Sequence, residues 1–229
     1  FSSAAGWSSD KDQGDTAAYN LGGFGFSAAG EIDNSLGAFG ASLTWFWNDY
    51  DDGTDLSNVQ ANTYELAGYW RGKWGGFGAF GRASYGLVDF RGRRTLQGKS
   101  GAEAIKRNTL SEWGGTLMTA SGGASYEARS GSLFFRPAVT VDYIKLDEDG
   151  YTDTGGGEAL DLTVGDRKSD EFAGNAGLTV GIDFTGRSRG AGLWGQRGGG
   201  DDRWFRMEAE GGWREILGGA IGSTVARFE

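Results

Sequence analysis

The sequence contains no cysteine and no histidine, and Pro137 is its only proline. Without cysteine there is no disulfide framework and no thiolate metal site. Without histidine as well, Ser–His–Asp triads and His/Cys zinc sites are excluded within this chain. A thiol-free chain also suits an oxidising cell-envelope compartment. The lone proline and the lack of a G-x-y period exclude a collagen helix. No apolar run reaches about 18 residues, so no segment reads as a transmembrane helix. Basic residues are in the minority, 22 against 31 acidic, for a net charge of −9. Nucleic acid selects a basic surface, so no nucleic-acid partner is expected.

Glycine and aromatics are plentiful. There are 44 glycines and nine tryptophans, and the aromatics are spread along the chain, which argues against disorder. The mean hydropathy of −0.44 has the value of a soluble protein. A transmembrane β-barrel gives the same value, because half of each strand faces water.

The stretch GFGAFG at 76–81 fits G-x-G-x-x-G. A dinucleotide loop needs a hydrophobic strand before it and a helix after it. Here the preceding residues mix charge and glycine, and RASYGLVDFRGRR has no helical apolar stripe. Read with a period of two, Phe77, Ala79, Gly81, Ala83, Tyr85 and Leu87 share one face, and Gly78, Arg82, Ser84 and Gly86 share the other. That is a strand.

The same alternation recurs along the chain. Phe39, Ala41, Leu43, Trp45 and Trp47 alternate with Gly40, Ser42, Thr44 and Asn48, with Phe46 out of pattern. Tyr64, Leu66, Gly68, Trp70 and Trp74 alternate with Thr63, Glu65, Arg71 and Lys73. Leu133, Phe135, Pro137, Val139, Val141 and Tyr143 alternate with Arg136, Thr140 and Asp142. Phe172, Ala176, Leu178, Val180, Ile182 and Phe184 alternate with Asn175, Thr179 and Asp183, and Phe205, Met207, Ala209 and Trp213 with Arg206, Glu208 and Glu210.

A soluble sandwich alternates too. Three features favour an antiparallel transmembrane β-barrel. The segments run to about 10–14 residues, longer than the usual soluble strand and long enough to cross a bilayer at a tilt. Trp45, Trp47, Trp70, Trp74, Tyr143 and Trp213 lie at segment ends, where an interfacial girdle belongs. The polar face carries glycine, charge and small hydroxyls, as a wet lumen requires. Its candidates are Glu65, Arg71, Lys73, Arg82, Arg136, Asp142, Asp183, Arg206, Glu208 and Glu210. Their mixed signs can hold a plug or a transiting chain, or simply pair across strands.

Connections alternate between short (30–35, 72–76, 128–132) and long (10–16, 48–58, 91–109, 146–170). Outer-membrane barrels keep the long loops outside, so the long set is expected to face the exterior. The long glycine-rich stretch 186–203 breaks this rule. Nine strands are expected up to residue 217, and 219–229 reads as the start of a tenth. The acidic loops NDYDDGTD and LDEDGYTD lack the full spacing of a calcium loop. They read as solvated acidic surface, with divalent bridging to lipopolysaccharide phosphate as the alternative.

In order, these segments resemble the β-domain of autotransporters, the type V secretion proteins of Gram-negative bacteria. The most telling stretch is RPAVTVDYIKLDEDGYTDTGGGEALDLTVGDRKSDEFAGNAGLTVGIDF, residues 136–184. LGAFGASLTWFWNDYD is similar to the family's second hairpin, and AEGGWREIL to its W-R-x-E/H strand. The resemblance implies an outer-membrane barrel of about 12 strands in the full protein, with C-terminal strands missing from this chain. Residues 1–229 are then the translocator domain, and the passenger lies outside this sequence. It implies a translocator and anchor that exports or tethers an N-terminal passenger of the same chain. The implied partners are outer-membrane lipid, lipopolysaccharide and the barrel assembly machinery. No enzyme activity, cofactor or metal is expected. A free-standing channel or structural barrel is the alternative; a Ser–His barrel enzyme would need a histidine that this sequence lacks, and an aspartate-based protease barrel stays open although no paired-carboxylate constellation stands out.

Overall fold

The structure, a computed structural model, describes residues 1–12, 18–54, 56–100, 103–157, 160–185 and 203–228. The stretch 186–202, expected to be a long turn, lies outside the described residues. Among the described residues thirteen strands follow in chain order: β1 (Ser2–Lys11), β2 (Tyr19–Asn34), β3 (Gly37–Asp51), β4 (Ser57–Trp74), β5 (Phe77–Ser100), β6 (Glu103–Tyr126), β7 (Ala128–Ser130), β8 (Leu133–Glu148), β9 (Tyr151–Thr152), β10 (Leu162–Val164), β11 (Arg167–Thr185), β12 (Arg203–Ala220) and β13 (Ala226–Phe228). The long ones form a single antiparallel sheet in the order β1-β2-β3-β4-β5-β6-β8-β11-β12. β7 carries the β6 path on past Glu127 and pairs with the start of β8. β13, β10 and β9 make a separate small sheet.

The two-residue side-chain period explains the faces. Leu43 pairs with Leu66, Leu66 with Tyr85, and Tyr85 with Met118. All four are 42–65% exposed, so a continuous apolar row crosses four strands on one face. Such a surface is a liability in water and is what a spanning sheet presents to lipid.

Contacts that skip a strand locate the concave side. Neighbouring strands are about 4.8 Å apart, so side chains two strands apart meet only where the sheet curls towards them. On the polar face Trp7 of β1 donates to Asn48 of β3 at 3.0 Å, and Arg71 of β4 reaches Glu31 of β2 at 2.5 Å. Arg214 of β12 reaches Asp142 of β8 at 3.2 Å. The polar face is therefore the inside of a half-barrel. Among the described residues β1 and β12 do not pair with each other, so the sheet is open at both edges.

Strand tilt shows in the register. The pair-by-pair path Ala38, Arg71, Phe80, Gly123, Thr140 starts beside the β2–β3 turn and ends in mid-β8. That stagger is the shear a barrel wall needs. Tight turns close the hairpins at the β2–β3 turn end. Gly75 and Gly131 have φ of 61° and 62°, which only glycine adopts without strain.

Three expectations need correction. Residues 91–109 are not a long loop. They extend β5 and β6 as a ladder that runs out to Ser100 opposite Glu103. Each strand continues there because its partner supplies the hydrogen bonds. Residues 219–229 do not start a tenth wall strand, because β13 pairs with β10 in the small sheet instead. The strands are longer than the sequence pattern suggested. β5 and β6 have 24 residues each, roughly 80 Å of extended chain, so they project well beyond a bilayer core of about 30 Å.

Candidate functional site

The concave face carries an ordered set of charges. At the short-turn end of β8 and β11 six ionisable groups interlock. Arg129 pairs with Glu127 and Asp183. Arg206 contacts Glu127 at 3.3 Å and Asp183 at 3.6 Å, and pairs with Glu208. Arg136 bridges Glu127 at 3.6 Å and Glu208 at 3.4 Å. Three cations meet three anions, so the network is neutral. Burial pushes the Glu127 carboxyl up, but Arg129 and Arg206 outweigh it and hold it below the ordinary 4.5. Phe134, only 3% exposed, lies between two of the cations. Arg206 sits 3.8 Å and Arg129 5.6 Å from its ring centroid.

A second group lies in the middle of β4 and β5. Glu65, 5% exposed, pairs with Arg82, whose Nη1 also donates to Thr119 at 3.1 Å. The Thr119 hydroxyl meets Ser84 at 2.6 Å. A third group joins β8, β11 and β12. Arg214 reaches Asp142 and Asn175, each at 3.2 Å, and Glu171 at 2.7 Å, while Asn175 donates to Asp142 at 2.6 Å.

Glycines on this face receive aromatic rings from the neighbouring strand. Tyr69 is paired with Gly40, Phe80 with Gly123 and Phe134 with Gly181. A methyl group at any of these glycines would overlap the ring. Phe46 and Trp7 lie likewise on Gly25 and Gly23. Phe46, out of pattern in the sequence, therefore belongs to the inner face. Gly68 and Gly81 alternate to the outer face with open space above them.

Between these groups is a cavity of about 570 Å³ lined by Asp33, Arg71, Lys73, Arg136, Thr140 and Glu210, among others. Arg71 is paired to Glu31. Lys73 and Glu210 make no ion pair among the described residues and stand free at the rim. All ten charged residues singled out in the sequence alternate to this concave face. The structure brings Arg136, Asp183, Arg206 and Glu208 into one network and Glu65 and Arg82 into another. Asp142 stands in the third, and Lys73 and Glu210 stand apart from all three. Sequence reasoning missed Glu127, Arg129, Phe134, Glu31 and Arg214. Arg129 and Glu31 were read as turn, and Phe134 as a strand residue without a role.

The six aromatics expected at the interfaces lie on the outer face. Trp45 and Trp47 stand towards the long-loop end, 5.2 and 5.5 Å from Phe24. The Trp45 ring nitrogen donates to Asn62 at 3.4 Å. Trp70 and Trp74 stand 5.8 Å apart near the short turns. Tyr64, which pairs with Trp45, and Trp74 lie on one strand. They are roughly 33 Å apart along it, or about 25 Å in height at an ordinary barrel tilt, which is the height of an outer-membrane apolar band. Tyr143 and the 72% exposed Trp213 share the outer face.

At the long-loop end a folded excursion packs on the β5–β6 ladder. Asp153, 5% exposed, accepts from Arg94 at 2.5 Å and from the buried Thr109 hydroxyl at 3.2 Å. Leu110 and Thr154 exchange backbone hydrogen bonds. Trp113 stacks on Tyr151 at 4.4 Å and on Phe90 at 5.1 Å. Burial pushes the Tyr151 phenol up. The carboxylates of Asp51 and Asp52 are occupied by the backbone of their own loop. Asp52 accepts from Thr54 and Leu56, and these bonds outweigh burial and hold its carboxyl below 3.8. Among the described residues no three acidic groups come together as a metal site.

A family model described as the autotransporter β-domain matches residues 1–228. The translocator domain of the autotransporter NalP from Neisseria meningitidis has a similar fold, with a TM-score of 0.69 at 16% identity. That likeness covers 98% of this chain and 70% of the other. Among curated proteins none matches the chain.

Proposed function

The chain belongs to the autotransporter β-domain family, outer-membrane barrels that export a passenger, and on that premise we propose that its concave face is the passenger's path. One observation carries this reading. Three ion networks pin the inner wall, and between them the rim of an open cavity keeps Lys73 and Glu210 without ion partners among the described residues. Paired charges stiffen the wall, and the free ones are available to a transiting chain of either sign. Mixed, wet charge of this kind grips weakly, because exposed pairs are worth about 0–1 kcal/mol each. Weak grip suits a conduit.

The long-loop end faces the cell exterior in this reading. The short turns at 35–36 and 75–76 then face the periplasm, as is usual in such barrels. A sheet in lipid must have every backbone group paired, so the edges of β1 and β12 are paired in the membrane. Barrel assembly machinery is the partner for insertion, and lipopolysaccharide is the partner of the outer surface.

Site-specific cross-linking tests the path. The chain has no cysteine, so one cysteine can be placed at Thr140 or Ala138 on the inner face, and at Val139 or Val141 on the outer. A passenger that carries one cysteine and is stalled in transit should form disulfides with the inner pair alone. Cross-links from the outer pair, or none from the inner pair while export continues, would sink the proposal.

A further inference from the structure

The chain is acidic overall, yet its most projecting element is basic. Above Arg94 the β5–β6 ladder leaves β4 behind, since the last β4 pair is Ser57 with Arg94. The ribbon from Arg91 to Arg107 holds Arg91, Arg93, Arg94, Lys99, Lys106 and Arg107. Cross-strand register sorts them onto two faces. Arg91 pairs with Glu112, Arg93 with Leu110, Gln97 with Lys106 and Lys99 with Ala104, and these share the outer face. Arg94 and Arg107 belong to the inner face, where Arg94 is held by Asp153.

The outer face of the ribbon therefore carries four cations, all exposed. Its acid is Glu112, in a fully solvated 3.3 Å contact with Arg91. Arg93, Lys99 and Lys106 have no ion pair among the described residues. Three acids stand on the adjoining outer surface. Asp49 accepts from Asn58 at 3.0 Å, Asp51 from the Gly53 backbone at 2.9 Å, and Asp89 stands just below Arg91. The cations span roughly 26 Å along the strand.

The height of this patch points to its occupant. The same face of β5 runs down through Asp89 to Leu87 and Tyr85, which belong to the apolar surface. Trp45, with its N–H on Asn62, marks the polar margin two strands away. Arg91 follows Leu87 by about 13 Å of strand. The cations thus begin where lipid headgroups lie and face outward over the membrane plane, away from the lumen. We propose that Arg91, Arg93, Lys99 and Lys106 form a binding surface for the phosphate groups of outer-leaflet lipid. The proposal rests on the reading that the long-loop end faces the exterior. The patch anchors the ribbon against the leaflet and leaves the lumen mouth clear.

The test uses the full chain extracted from outer membranes, with native mass spectrometry of retained lipid. The probes are bis-phosphorylated lipid A and its dephosphorylated form. The wild-type chain should retain the phosphorylated probe in preference. A variant carrying Arg91→Gln, Arg93→Gln, Lys99→Gln and Lys106→Gln should lose that preference. Each cation near an anionic surface contributes on the order of fivefold, so losing all four should cut retention by roughly several hundredfold. Heat-modified mobility on gels reports whether the variant is folded. Where it is not, the wild-type preference between the two probes decides alone, and equal retention overturns the proposal. Unchanged retention by a folded variant also overturns it, as does slowed passenger export with lipid retention intact, which would assign the patch to the passenger. Labelling of Gln97→Cys on intact cells reports orientation separately. If that cysteine reacts only in broken cells, the orientation reading fails whatever the lipid result.

Discussion

Arg206 rests its guanidinium 3.8 Å above the ring of Phe134, and that ring lies in turn against Gly181. The stack is buried beneath a neutral network of six charges, so the ring organises the cations as well as filling space. Phe134→Ala should destabilise the folded barrel by about 3 kcal/mol. Phe134→Leu keeps most of the volume and loses the cation contact, worth about 1–2 kcal/mol. Urea unfolding in lipid vesicles, followed by tryptophan fluorescence, measures both.

Side chains added beneath the inner rings should be costly, and those added on the outer face should not. Gly40→Val and Gly181→Val would push against Tyr69 and Phe134 and should each cost about 1–3 kcal/mol. Gly68→Ala and Gly81→Ala meet open space and should leave the unfolding midpoint nearly unchanged in the same assay.

Glu65 and Arg82 form a pair in which the carboxylate is almost fully buried and the guanidinium is about one-third exposed. Glu65→Leu leaves Arg82 without its partner and should cost about 2 kcal/mol, below the range for fully buried pairs because lumen water screens the arginine. Glu65→Leu with Arg82→Met should recover most of that loss. A double-mutant cycle gives the coupling directly.

Acid should loosen the short-turn end first. The folded pKa of Glu127 is lowered, so its contribution is fully present above its unfolded value near 4.5 and is lost as pH falls through the lower folded value. Hydrogen exchange of β7 and the start of β8 should therefore rise below about pH 4. Glu127→Gln should show the faster exchange at neutral pH and no further acid step in that segment.

The excursion that follows β8 is held by Asp153 in its contacts with Arg94 and Thr109. Asp153→Asn weakens the charged contact, so protease added to intact cells should cut between residues 149 and 166 several times faster. Equal cutting rates would show that the Trp113–Tyr151 stack holds the segment without help.

Much of this architecture was legible in the alternation of residues such as Leu43 and Thr44, or Leu66 and Glu65. One face of each strand meets lipid and the other meets water, so burial writes itself into the sequence at every second position. The assignment of Glu65, Arg82 and Arg206 to the charged face needed no more than that. Partners were less legible. Glu127 and Arg129 flank a turn, and their network with Asp183 and Arg206 depends on three strands that sequence spacing does not order. The ladder at 91–109 was hidden because outside the bilayer no apolar face is required, so the period-two signal fades while the hydrogen bonds continue. Phe46 stood out of pattern for a related reason. Its burial comes from Gly25 on another strand, and nothing local announces it.

The ring-on-glycine pairs have a consequence for assembly. A slip of one residue between neighbouring strands would turn polar groups to lipid and would be rejected at once. A slip of two keeps every face correct, and hydropathy cannot detect it. The rings can. Such a slip sets Phe134 against Thr179 or Asp183 in place of Gly181, Tyr69 against Ala38 or Ser42, and Phe80 against Ser121 or Ser125. Each error places a side chain where a ring must lie, and the faults repeat down the wall. The inner aromatics thus act as a vernier, admitting only the alignment in which every ring finds its gap at once.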